Sequence, residues 1–334
     1  MKKALITGIT GMVGSHLADY LLENTNWQIF GTIRWRSNLE NINHLINLVN
    51  KKKRVFLRYG ELNDPSSLDE VIKEVRPDYV FHLAAQSYPK TSFSAPIDTF
   101  NTNINGTMSL LQSIKKFSPN CMIHVCSSSE VFGRVRKKDL PIKESNNFHP
   151  ASPYAISKVG TDLVGRFFAE AYSLKVITTR MFTHTGPRRG DVFAESTFAK
   201  QIALIENKKI PPIIKVGNLN SLRTIADVRD AVRAYHILLT KKPIPGEVYN
   251  IGGDYVCKIG DILDYLIKIS KLKKYKIKID KDRLRPIDAD LQIPDMTKFK
   301  RHTGWEPKFK FQTTMKDLLN YWRKKVKSQN FLDR

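Results

Sequence analysis

Short apolar segments alternate with segments of helical periodicity through the first 180 residues of this 334-residue chain. Apolar runs such as KALITG, PDYVFHLAA and CMIHVCSS have the length of buried strands, whereas SHLADYLLEN and SSLDEVIKEV repeat their apolar residues every three or four positions. Strands that alternate with helices form right-handed crossover units, which place the strands parallel in one sheet. Six strands of this kind predict a doubly wound parallel sheet with helices on both faces.

The pattern changes beyond residue 180, where loops rich in proline, glycine and arginine separate helical segments such as ESTFAKQIALIEN and KIGDILDYLIKIS. We therefore predict a smaller C-terminal domain whose segments interleave with the sheet. The sheet domain is predicted to comprise residues 1–180 and about 224–252. The second domain is predicted to comprise residues 181–223 and 253–326, and the polar residues after Lys324 are expected to fray.

A strand–turn–helix motif with three glycines opens the chain. The stretch TGITGMVG places Gly8, Gly11 and Gly14 directly after the first strand and at the start of a helix. Such a turn lets a diphosphate approach the backbone closely, and the helix N-terminus offers free N–H groups and partial positive charge. We predict an α/β, Rossmann-like fold that binds a dinucleotide, rather than a plain glycine-rich turn. The predicted loop contacts are Gly8, Thr10, Gly11, Met12, Val13 and Gly14.

The end of the second strand indicates which dinucleotide is held. A carboxylate there would accept hydrogen bonds from the ribose 2′-hydroxyl of NAD, whereas a basic residue accommodates the 2′-phosphate of NADP. The strand ends GTIRWRSN, with Arg34 and Arg36 present and no acidic residue before Glu40. This favours NADP over NAD, although both arginines could instead be merely solvated. Further contacts to the cofactor are predicted after the third and fourth strands, at Glu61, Leu62, Leu83, Ala84 and Ala85.

Tyr154 and Lys158 form a Y-x-x-x-K pair on a predicted helix. The spacing of four residues places both side chains on one helix face, where both would also contact the cofactor. A free tyrosine is a poor base at neutral pH because its pKa is about 10, but a neighbouring ammonium and a nicotinamide cation stabilise the phenolate. Tyr154 could then take a proton from a substrate hydroxyl.

The composition of the chain limits the partners, the cellular location and the metal or disulfide sites that we expect. The chain has 55 Lys and Arg against 32 Asp and Glu, a formal charge of +23, but its lysines are scattered and carry no nucleic-acid-binding signature. No stretch approaches the ~20 apolar residues of a membrane helix, and no signal core is present, so a cytoplasmic protein that binds neither nucleic acid nor membrane is expected. Cys121, Cys126 and Cys257 have neither disulfide nor zinc-ligand spacing, and no metal is predicted.

These motifs together with CSSSEVFG give the chain, over nearly its whole length, a resemblance to extended short-chain dehydrogenase/reductases that modify nucleotide sugars. In that family a Ser or Thr at the end of the fifth strand hydrogen-bonds the substrate oxygen beside the tyrosine, which implies this role for Ser128. Simple 4-epimerases lack a carboxylate after that hydroxyl, whereas 4,6-dehydratases carry one. Ser128, Ser129 and Glu130 resemble the second pattern.

The resemblance implies a lyase that oxidises C4 of a hexose, eliminates water across C5 and C6, and returns the stored hydride to C6. Oxidation at C4 acidifies the C5 proton, and Glu130 would remove that proton and donate one to the departing water. Ser129 stands where other dehydratases have Asp. The alternative is that Glu130 only caps a helix or binds backbone N–H groups.

Further stretches are similar to the GDP-mannose 4,6-dehydratase family. HLAAQSYPKTSF implies substrate contacts by Gln86 and Ser87, and THTGPRRGDVF implies cofactor contacts by His184 and Arg189. VGNLNSLRT and RLRPIDAD are similar to diphosphate-binding segments, in which planar guanidiniums donate bidentately to phosphate oxygens. Surface salt bridges are the alternative for these arginines. The implied substrate contacts are Gln86, Ser87, Ser128, Thr183, Lys200, Asn218, Arg223, Arg285 and Asp288.

Departures from that family leave the sugar open. Thr183 replaces an expected Asn, Thr224 replaces an expected Asp, and FAESTFAKQI differs from the usual base-reading stretch. The chain also resembles GDP-4-keto-6-deoxymannose reductases, and the GDP-N-acetylglucosamine 4,6-dehydratases of legionaminic acid synthesis. GDP-mannose is the default substrate. A decarboxylase of the UDP-xylose synthase kind is disfavoured by the sequence around Tyr154. A non-catalytic dinucleotide-binding regulator is disfavoured because Ser128, Tyr154 and Lys158 are all present.

The resemblance also implies self-association. The helices that follow residues 96 and 153 would pack as a four-helix dimer interface. The stretch RWRSNLENIN is similar to a loop that contacts a neighbour's cofactor in the family, so a homodimer or a homotetramer is expected.

Overall fold

A computed structural model describes residues 1–241 and 243–329 of the chain. Seven strands form one parallel sheet in the spatial order β3-β2-β1-β4-β5-β6-β10. The thirteen strands are β1 Lys3–Thr7, β2 Gln28–Ile33, β3 Val55–Tyr59, β4 Tyr79–His82, β5 Met122–Cys126, β6 Lys175–Met181, β7 His184–Thr185, β8 Ile213–Val216, β9 Leu222–Asp227, β10 Val248–Ile251, β11 Tyr255–Lys258, β12 Lys276–Ile279 and β13 Leu291–Gln292. The predicted doubly wound α/β fold is confirmed.

Twelve α-helices connect and cover these strands within the described residues. They are α1 Met12–Asn24, α2 Ile46–Asn50, α3 Pro65–Val75, α4 Pro89–Ser94, α5 Pro96–Phe100, α6 Gly106–Phe117, α7 Pro153–Tyr172, α8 Ala194–Glu206, α9 Val228–Thr240, α10 Ile259–Lys268, α11 Thr297–Thr303 and α12 Phe311–Lys327. None of the described helices is both long enough and apolar enough to cross a membrane.

The long helix predicted around residues 98–117 is interrupted. A π-helical turn, Asn101–Asn105, separates α5 from α6. The carbonyl oxygen of Asn103 accepts hydrogen bonds from the hydroxyls of Thr107, at 2.6 Å, and Thr161, at 2.9 Å. Side-chain donors of this kind compete with the backbone for a helix carbonyl, and π turns occur where the α-helical ladder is interrupted.

A second, smaller body packs beyond the carboxyl ends of β5 and β6. Its core joins α8, α10 and α12 around residues such as Phe198, Ile202, Leu263, Leu318 and Trp322. Helix α12 was not predicted from the sequence. It continues through Lys327, because Val326 is fully buried in this core, so the expected fraying directly after Lys324 is wrong for these residues. Residues 330–334 lie outside the described part of the chain.

The chain passes between the two bodies more than once. After β6 the chain enters the smaller body, and then it returns to the sheet through α9 and β10. Helix α9 packs against the sheet core, and β10 pairs with β6. Tyr235 of α9 and Ile251 of β10 are fully buried in that core. Met296, Phe299 and Trp305 also pack there, although they lie within the range predicted for the second domain. This crossing brings Arg285 to within 3.9 Å of Glu130, which follows β5, and we refer to the region between these segments as the cleft.

Candidate active site

The glycine turn after β1 is built for close approach. Gly8 has φ +72°, and a Cβ atom placed on it would lie 2.9 Å from Cα of Ala84. A Cβ on Gly14 would lie 2.3 Å from the carbonyl oxygen of Gly8. Helix α1 begins at Met12 with Gly11 as its N-cap, so its first N–H groups point out of the turn. The turn and the helix N-terminus therefore fit a dinucleotide diphosphate.

Hydrogen bonds tie this turn to the neighbouring segments. The hydroxyl of Thr7 accepts bonds from the backbone N–H groups of Leu83 and Ala84, each at 3.1 Å. The side-chain amide of Asn41 donates to the carbonyl of Thr10 at 2.9 Å. Val13 packs against the sheet core beside the buried Met12. The predicted loop residues after β1 and β4 thus lie at one edge of the sheet, whereas the side chain of Val13 packs against its core and that of Met12 is buried.

The candidate 2′-phosphate end lies after β2 and β3. The side chains of Arg34 and Arg36 are exposed, and Nε of Arg34 lies 4.0 Å from a carboxylate oxygen of Glu61. Trp35 between them is 88 % exposed. Leu62 is buried below this surface. Two cations are therefore free to meet an anion here, and one carboxylate partly offsets them.

The serines after β5 meet the start of α7. The hydroxyl of Ser128 accepts the N–H of Glu130 at 3.2 Å and so caps the short 3-10 turn Ser129–Phe132. Helix α7 begins where the hydroxyl of Ser152 accepts the N–H of Ala155 at 3.0 Å. These two caps bring Ser128 close enough to the phenol of Tyr154 to lower the pKa of that phenol.

The environment of Tyr154 opposes its ionisation. Burial is the main cause that raises the pKa of this phenol, and the charges of Cys126 and Glu130 raise it further. The neighbouring Ser128 hydroxyl and the positive charge of Arg189 lower the pKa in part. The protein atoms alone therefore keep Tyr154 protonated at neutral pH, and a further cation is needed before it acts as a base.

Lys158 is anchored below the tyrosine. Its ammonium donates to the carbonyl of Cys126 at 2.5 Å, and its side chain is only 6 % exposed. Burial lowers the pKa of this ammonium. The predicted pair on one helix face is present, but the cation whose charge lowers the pKa of Tyr154 is Arg189.

Glu130 faces the cleft. Its side chain is 17 % exposed, and Oε2 lies 3.9 Å from Nη1 of Arg285. The negative charge of Glu130 is close enough to Tyr154 to raise the pKa of that phenol. The cap of the 3-10 turn is Ser128, so the capping interpretation of Glu130 loses its support. Ser129 is buried in the same 3-10 turn that carries Glu130.

Arg189 and His184 lie at the catalytic end of the cleft. The guanidinium of Arg189 stacks on Phe193, 3.4 Å from the ring centre, and its Nε donates to Glu195 at 3.2 Å. His184 donates from Nδ1 to the carbonyl of Phe182 at 3.1 Å. Burial, followed by the charge of Arg189, lowers the pKa of His184 to about 4. His184 is therefore neutral at pH 7.

A polar cluster gathers around Asp288 in the smaller body. One carboxylate oxygen accepts hydrogen bonds from the amide of Asn218 and the hydroxyl of Ser221, each at 3.2 Å. The other lies 3.5 Å from Arg223 and 3.7 Å from Arg285. Both arginines thus make ion pairs, as the alternative interpretation requires. The two arginines share Asp288 as their partner inside the cleft. Arg223 is only 8 % exposed there, so these ion pairs do not lie on an open surface.

A sequence model of the family described as GDP-mannose 4,6 dehydratase matches residues 5–318. The chain belongs to this family. A GDP-mannose 4,6-dehydratase from Yersinia enterocolitica is 29 % identical over 92 % of this chain and 90 % of its own length. The structure of RMD from Pseudomonas aeruginosa complexed with NADPH covers 98 % of this chain and 100 % of its own, with 28 % identity and a TM-score of 0.82. A dTDP-glucose 4,6-dehydratase from Bacillus anthracis in complex with NAD covers 98 % of each chain, with 25 % identity and a TM-score of 0.83.

Among the other residues nominated by the likeness to the GDP-mannose 4,6-dehydratase family, the side chains of Gln86 and Lys200 are occupied by internal contacts, and Thr183 makes a backbone contact. The amide of Gln86 bonds the backbone of Tyr88 and the hydroxyl of Thr99. Lys200 pairs with Asp191 at 3.0 Å. The carbonyl of Thr183 accepts the N–H of Ala226 at 2.9 Å. Ser87, in contrast, is exposed at the end of the loop after β4.

The sequence patterns did not predict that Asn103 supports the site of this GDP-mannose 4,6-dehydratase family member. Its amide accepts the backbone N–H of Gln86 at 2.8 Å and donates to the carbonyl of Gln86 at 2.9 Å and to the hydroxyl of Ser157 at 2.8 Å. It is 2 % exposed and lies on the π turn. Asn103 therefore fixes the loop after β4 against α7. The dense asparagine run NTNIN inside a helical segment was the available signal.

Proposed function

We propose that this chain is an NADP-dependent nucleotide-sugar 4,6-dehydratase, with GDP-mannose as its substrate. The observation that carries the proposal is the carboxylate of Glu130 in the cleft, close enough to Tyr154 to alter the pKa of the phenol. A simple C4 oxidation or epimerisation needs the tyrosine and not this second group. Membership of the GDP-mannose 4,6-dehydratase family and the named relatives support the same reaction.

A nicotinamide dinucleotide held at the glycine turn would supply hydride chemistry, with removal of hydride from C4 and its return at C6. Tyr154 takes the proton of the C4 hydroxyl, while the hydroxyl of Ser128 orients the oxygen. Lys158 holds its charge below the phenol through the carbonyl of Cys126. The resulting C4 ketone acidifies the proton on C5.

Glu130 then removes the C5 proton and passes it to the departing C6 hydroxyl, which leaves as water. The product of this elimination is an enone, with a double bond between C5 and C6. After hydride reaches C6, a proton equivalent to the one taken by Tyr154 is added at C5. The atoms balance: one hexose gives one 4-keto-6-deoxyhexose and one water, and no reductant is consumed.

The cluster around Asp288 is assigned to the nucleotide diphosphate. Arg223 and Arg285 bring two guanidiniums to one side of the cleft. Arg223 is also held by the carbonyls of Leu222 and Ala289, whereas Arg285 can donate two parallel hydrogen bonds to phosphate oxygens. Asn218 and Asp288 would align neighbouring hydroxyl groups of the nucleotide. Lys200 and Thr183 stay as predicted contacts of the same substrate.

NADP is assigned on the side chains after β2. Arg34 and Arg36 are exposed where a 2′-phosphate would lie, and the similar Pseudomonas protein RMD was solved with NADPH. Replacing Arg34 by alanine should weaken NADP binding by about 10-fold, as for one charge-assisted hydrogen bond, and change NAD binding little. Calorimetric titration with both dinucleotides measures the difference, and Arg58→Ala, which breaks an ion pair with Glu74 elsewhere on the sheet edge, is the control.

Incubation of the purified protein with GDP-mannose and, separately, with GDP-N-acetylglucosamine tests the function. No reductant is added, and mass spectrometry follows the loss of water. Loss from GDP-mannose supports the proposal, whereas loss from the second sugar alone assigns the N-acetylglucosamine reaction. If neither sugar loses water but a 4-keto-6-deoxy sugar is reduced by NADPH, the dehydratase proposal is wrong. No turnover of any of them would return the regulator alternative.

A second copy of this chain is assigned to an apolar face on α7. Ile156, Leu163 and Phe167 are 46 %, 48 % and 53 % exposed and lie on one side of the helix. Exposed Ile97 of α5 and Met108 of α6 lie on the neighbouring helices. Pairing this surface with itself would bury it in a four-helix interface.

Light scattering tests the pairing. The wild-type chain should have the mass of a dimer or a tetramer, and Phe167→Asp should lower that mass. Ile279→Asp is the control, because Ile279 is 64 % exposed on β12, outside this face. A monomeric wild-type chain would contradict the assignment.

A reducing compartment such as the cytoplasm suits the protein, because all three cysteines are free thiols.

A further inference from the structure

The loop 186–190 between β7 and α8 carries Arg189 into the catalytic end of the cleft. On the α8 side, Arg189 is held by Glu195 and Phe193. Its backbone carbonyl accepts the hydroxyl of Ser196 at 2.8 Å. The loop is held on a second side as well, by residues of α1 that were not among the predicted site residues.

Asp19 of α1 joins three segments through its carboxylate. Oδ2 accepts a hydrogen bond from Nη1 of Arg188 at 2.7 Å, and Oδ1 accepts one from Nε2 of His44 at 2.6 Å. The side chains of Asp19 and Arg188 are 24 % and 21 % exposed, so water screens this pair only in part. His44 lies in the segment after β2, and Arg188 directly precedes Arg189.

His16 supports the same loop one turn earlier on α1. Its Nε2 lies 3.1 Å from the carbonyl oxygen of Pro187, and since a carbonyl only accepts, the ring nitrogen donates. Burial, followed by the charge of Arg188, lowers the pKa of His16 to about 4. The ring is therefore neutral at pH 7. His16 and Asp19 are three residues apart and share one helix face.

The backbone of Arg188 needs this support. Its φ is +68°, in the left-handed region that is unfavourable for a residue with a Cβ. The ion pair with Asp19 and the bond from His16 offset that cost. The turn allows Arg188 to contact α1 while Arg189, the next residue, contacts Phe193 and Glu195 on the other side.

We propose that Asp19 is a positioning residue for the reaction at Tyr154, acting through Arg188 to fix the position of Arg189 in the loop 186–190. The inference rests on the proposed function for its kinetic consequence. Because α1 also begins at the glycine turn, the helix that receives the cofactor diphosphate fixes the cation at the reacting end. Cofactor binding and proton abstraction are thereby joined through one helix.

Ionisable groups surround Tyr154 on five elements, and only one of these groups depends on Asp19. That group is Arg189, in the loop 186–190. The others are Cys126 at the end of β5, Glu130 in the segment after β5, Lys158 on α7 itself and Tyr235 on α9. Glu130 is in turn 3.9 Å from Arg285. A change at Asp19 should therefore alter the titration of Tyr154 through Arg189 alone.

The test compares Asp19→Asn with Glu23→Gln, a matched loss of charge one turn further along α1 on an exposed residue. In the wild type, kcat should rise with pH as Tyr154 loses its proton. In Asp19→Asn this rise should move to higher pH by about one unit, which lowers kcat about tenfold below the rise. The KM for the sugar should change less than about twofold, since the substrate cluster is untouched. Glu23→Gln should match the wild type.

A double-variant cycle identifies the route. If Asp19 acts through Arg189, then Asp19→Asn should add no further displacement in an Arg189→Met background. A further displacement in that background, or an equal fall in kcat at every pH, would overturn the proposal. An equal fall in kcat at every pH would mean that Asp19 only keeps the chain folded.

A measurement without sugar separates this proposal from the proposed function. Binding of NADP⁺ at mildly alkaline pH should release protons from Tyr154, and calorimetry in buffers of different ionisation enthalpy counts them. The difference between the wild type and Tyr154→Phe gives the share of the tyrosine. Asp19→Asn should reduce that share, and an unchanged share would overturn the proposal even if the sugar substrate had been assigned wrongly.

Discussion

Arg285 and Glu130 face each other across the cleft, with Nη1 of the arginine 3.9 Å from Oε2 of the glutamate. Arg285 also lies 3.7 Å from Asp288. Both distances exceed that of a good hydrogen bond, so these two pairs leave the donors of the guanidinium available to phosphate oxygens. The cation assigned to the diphosphate therefore lies next to the carboxylate assigned to C5. A sugar with a diphosphate on one side and C5 on the other would span that short distance.

Replacing Arg285 by methionine should raise the KM for the GDP-sugar by about 10- to 100-fold, the effect of one lost charge-assisted contact. The change in kcat should be smaller, and NADP affinity should stay as in the wild type. Steady-state kinetics and a separate NADP titration measure these values. Arg283→Met is the control, because Arg283 pairs with Asp280 on the same segment and is 37 % exposed. An unchanged KM in Arg285→Met would remove the arginine from the phosphate site.

Glu130→Gln should keep the size and polarity of the side chain but abolish its basicity. We expect the exchange of the C5 proton with solvent to slow by about 10²- to 10⁴-fold, with sugar binding retained. Mass spectrometry of the sugar recovered from heavy water measures the exchange. Glu170→Gln, a surface change on α7, is the control. Exchange at the wild-type rate in Glu130→Gln would return the residue to a structural role.

Buried histidines should make the protein sensitive to acid. Burial is the main cause that lowers the pKa of His124 from 6.5 to about 3, and His82 is lowered likewise to about 3. Both are neutral in the folded chain, whereas the unfolded chain binds protons below the ordinary pKa of about 6.5. The free energy of unfolding should therefore fall as pH drops from about 6.5 towards 3, by about 1.4 kcal/mol per pH unit for each ring.

His124→Leu tests this dependence. Between about pH 6 and pH 4 the slope of unfolding free energy against pH should become shallower by about 1.4 kcal/mol per unit. Urea unfolding at several pH values gives the slope. Leucine also loses the 2.8 Å hydrogen bond to Thr179, so the slope and not the absolute stability is compared. His149→Gln, at an exposed position, should leave the slope unchanged. A wild-type slope in His124→Leu would show that His124 is not held neutral.

Gly133 fixes the end of the turn that presents Glu130. Its N–H donates to the carbonyl of Glu130 at 3.0 Å, its φ is +50°, and a Cβ there would lie 1.7 Å from the carbonyl oxygen of His149. Gly133→Ala should therefore cost about 2–4 kcal/mol of unfolding free energy and lower kcat. Gly246→Ala separates clash from backbone strain, because Gly246 has φ +86° but its nearest neighbour is 4.0 Å away. Urea unfolding should show a loss of only about 1 kcal/mol for Gly246→Ala, and equal losses would exclude the clash.

Local patterns predicted the features whose geometry is local. The alternation of apolar and helical segments predicted the parallel sheet, and the glycine spacing after β1 predicted the tight turn found there. Tyr154 and Lys158 could be paired from sequence because four residues span one helical turn. Helix α12 escaped prediction because its apolar stripe is diluted by lysines, and only packing against α8 and α10 buries it.

Contacts between distant segments could not be obtained in this way. Arg189 was expected beside the cofactor, and the structure places its charge near Tyr154, because the loop is held by Asp19 from one side and Glu195 from the other. The meeting of Arg285 with Glu130 depends in the same way on how the smaller body packs against the sheet.

By itself the sequence determined the sheet, the cofactor turn and the residue types available for chemistry, since backbone periodicity and spacing act over a few residues. Only the tertiary structure decided which charges share the cleft. Electrostatic effects on a phenol or a carboxylate depend on distances of a few ångströms, and those distances are set by packing between segments far apart in the chain.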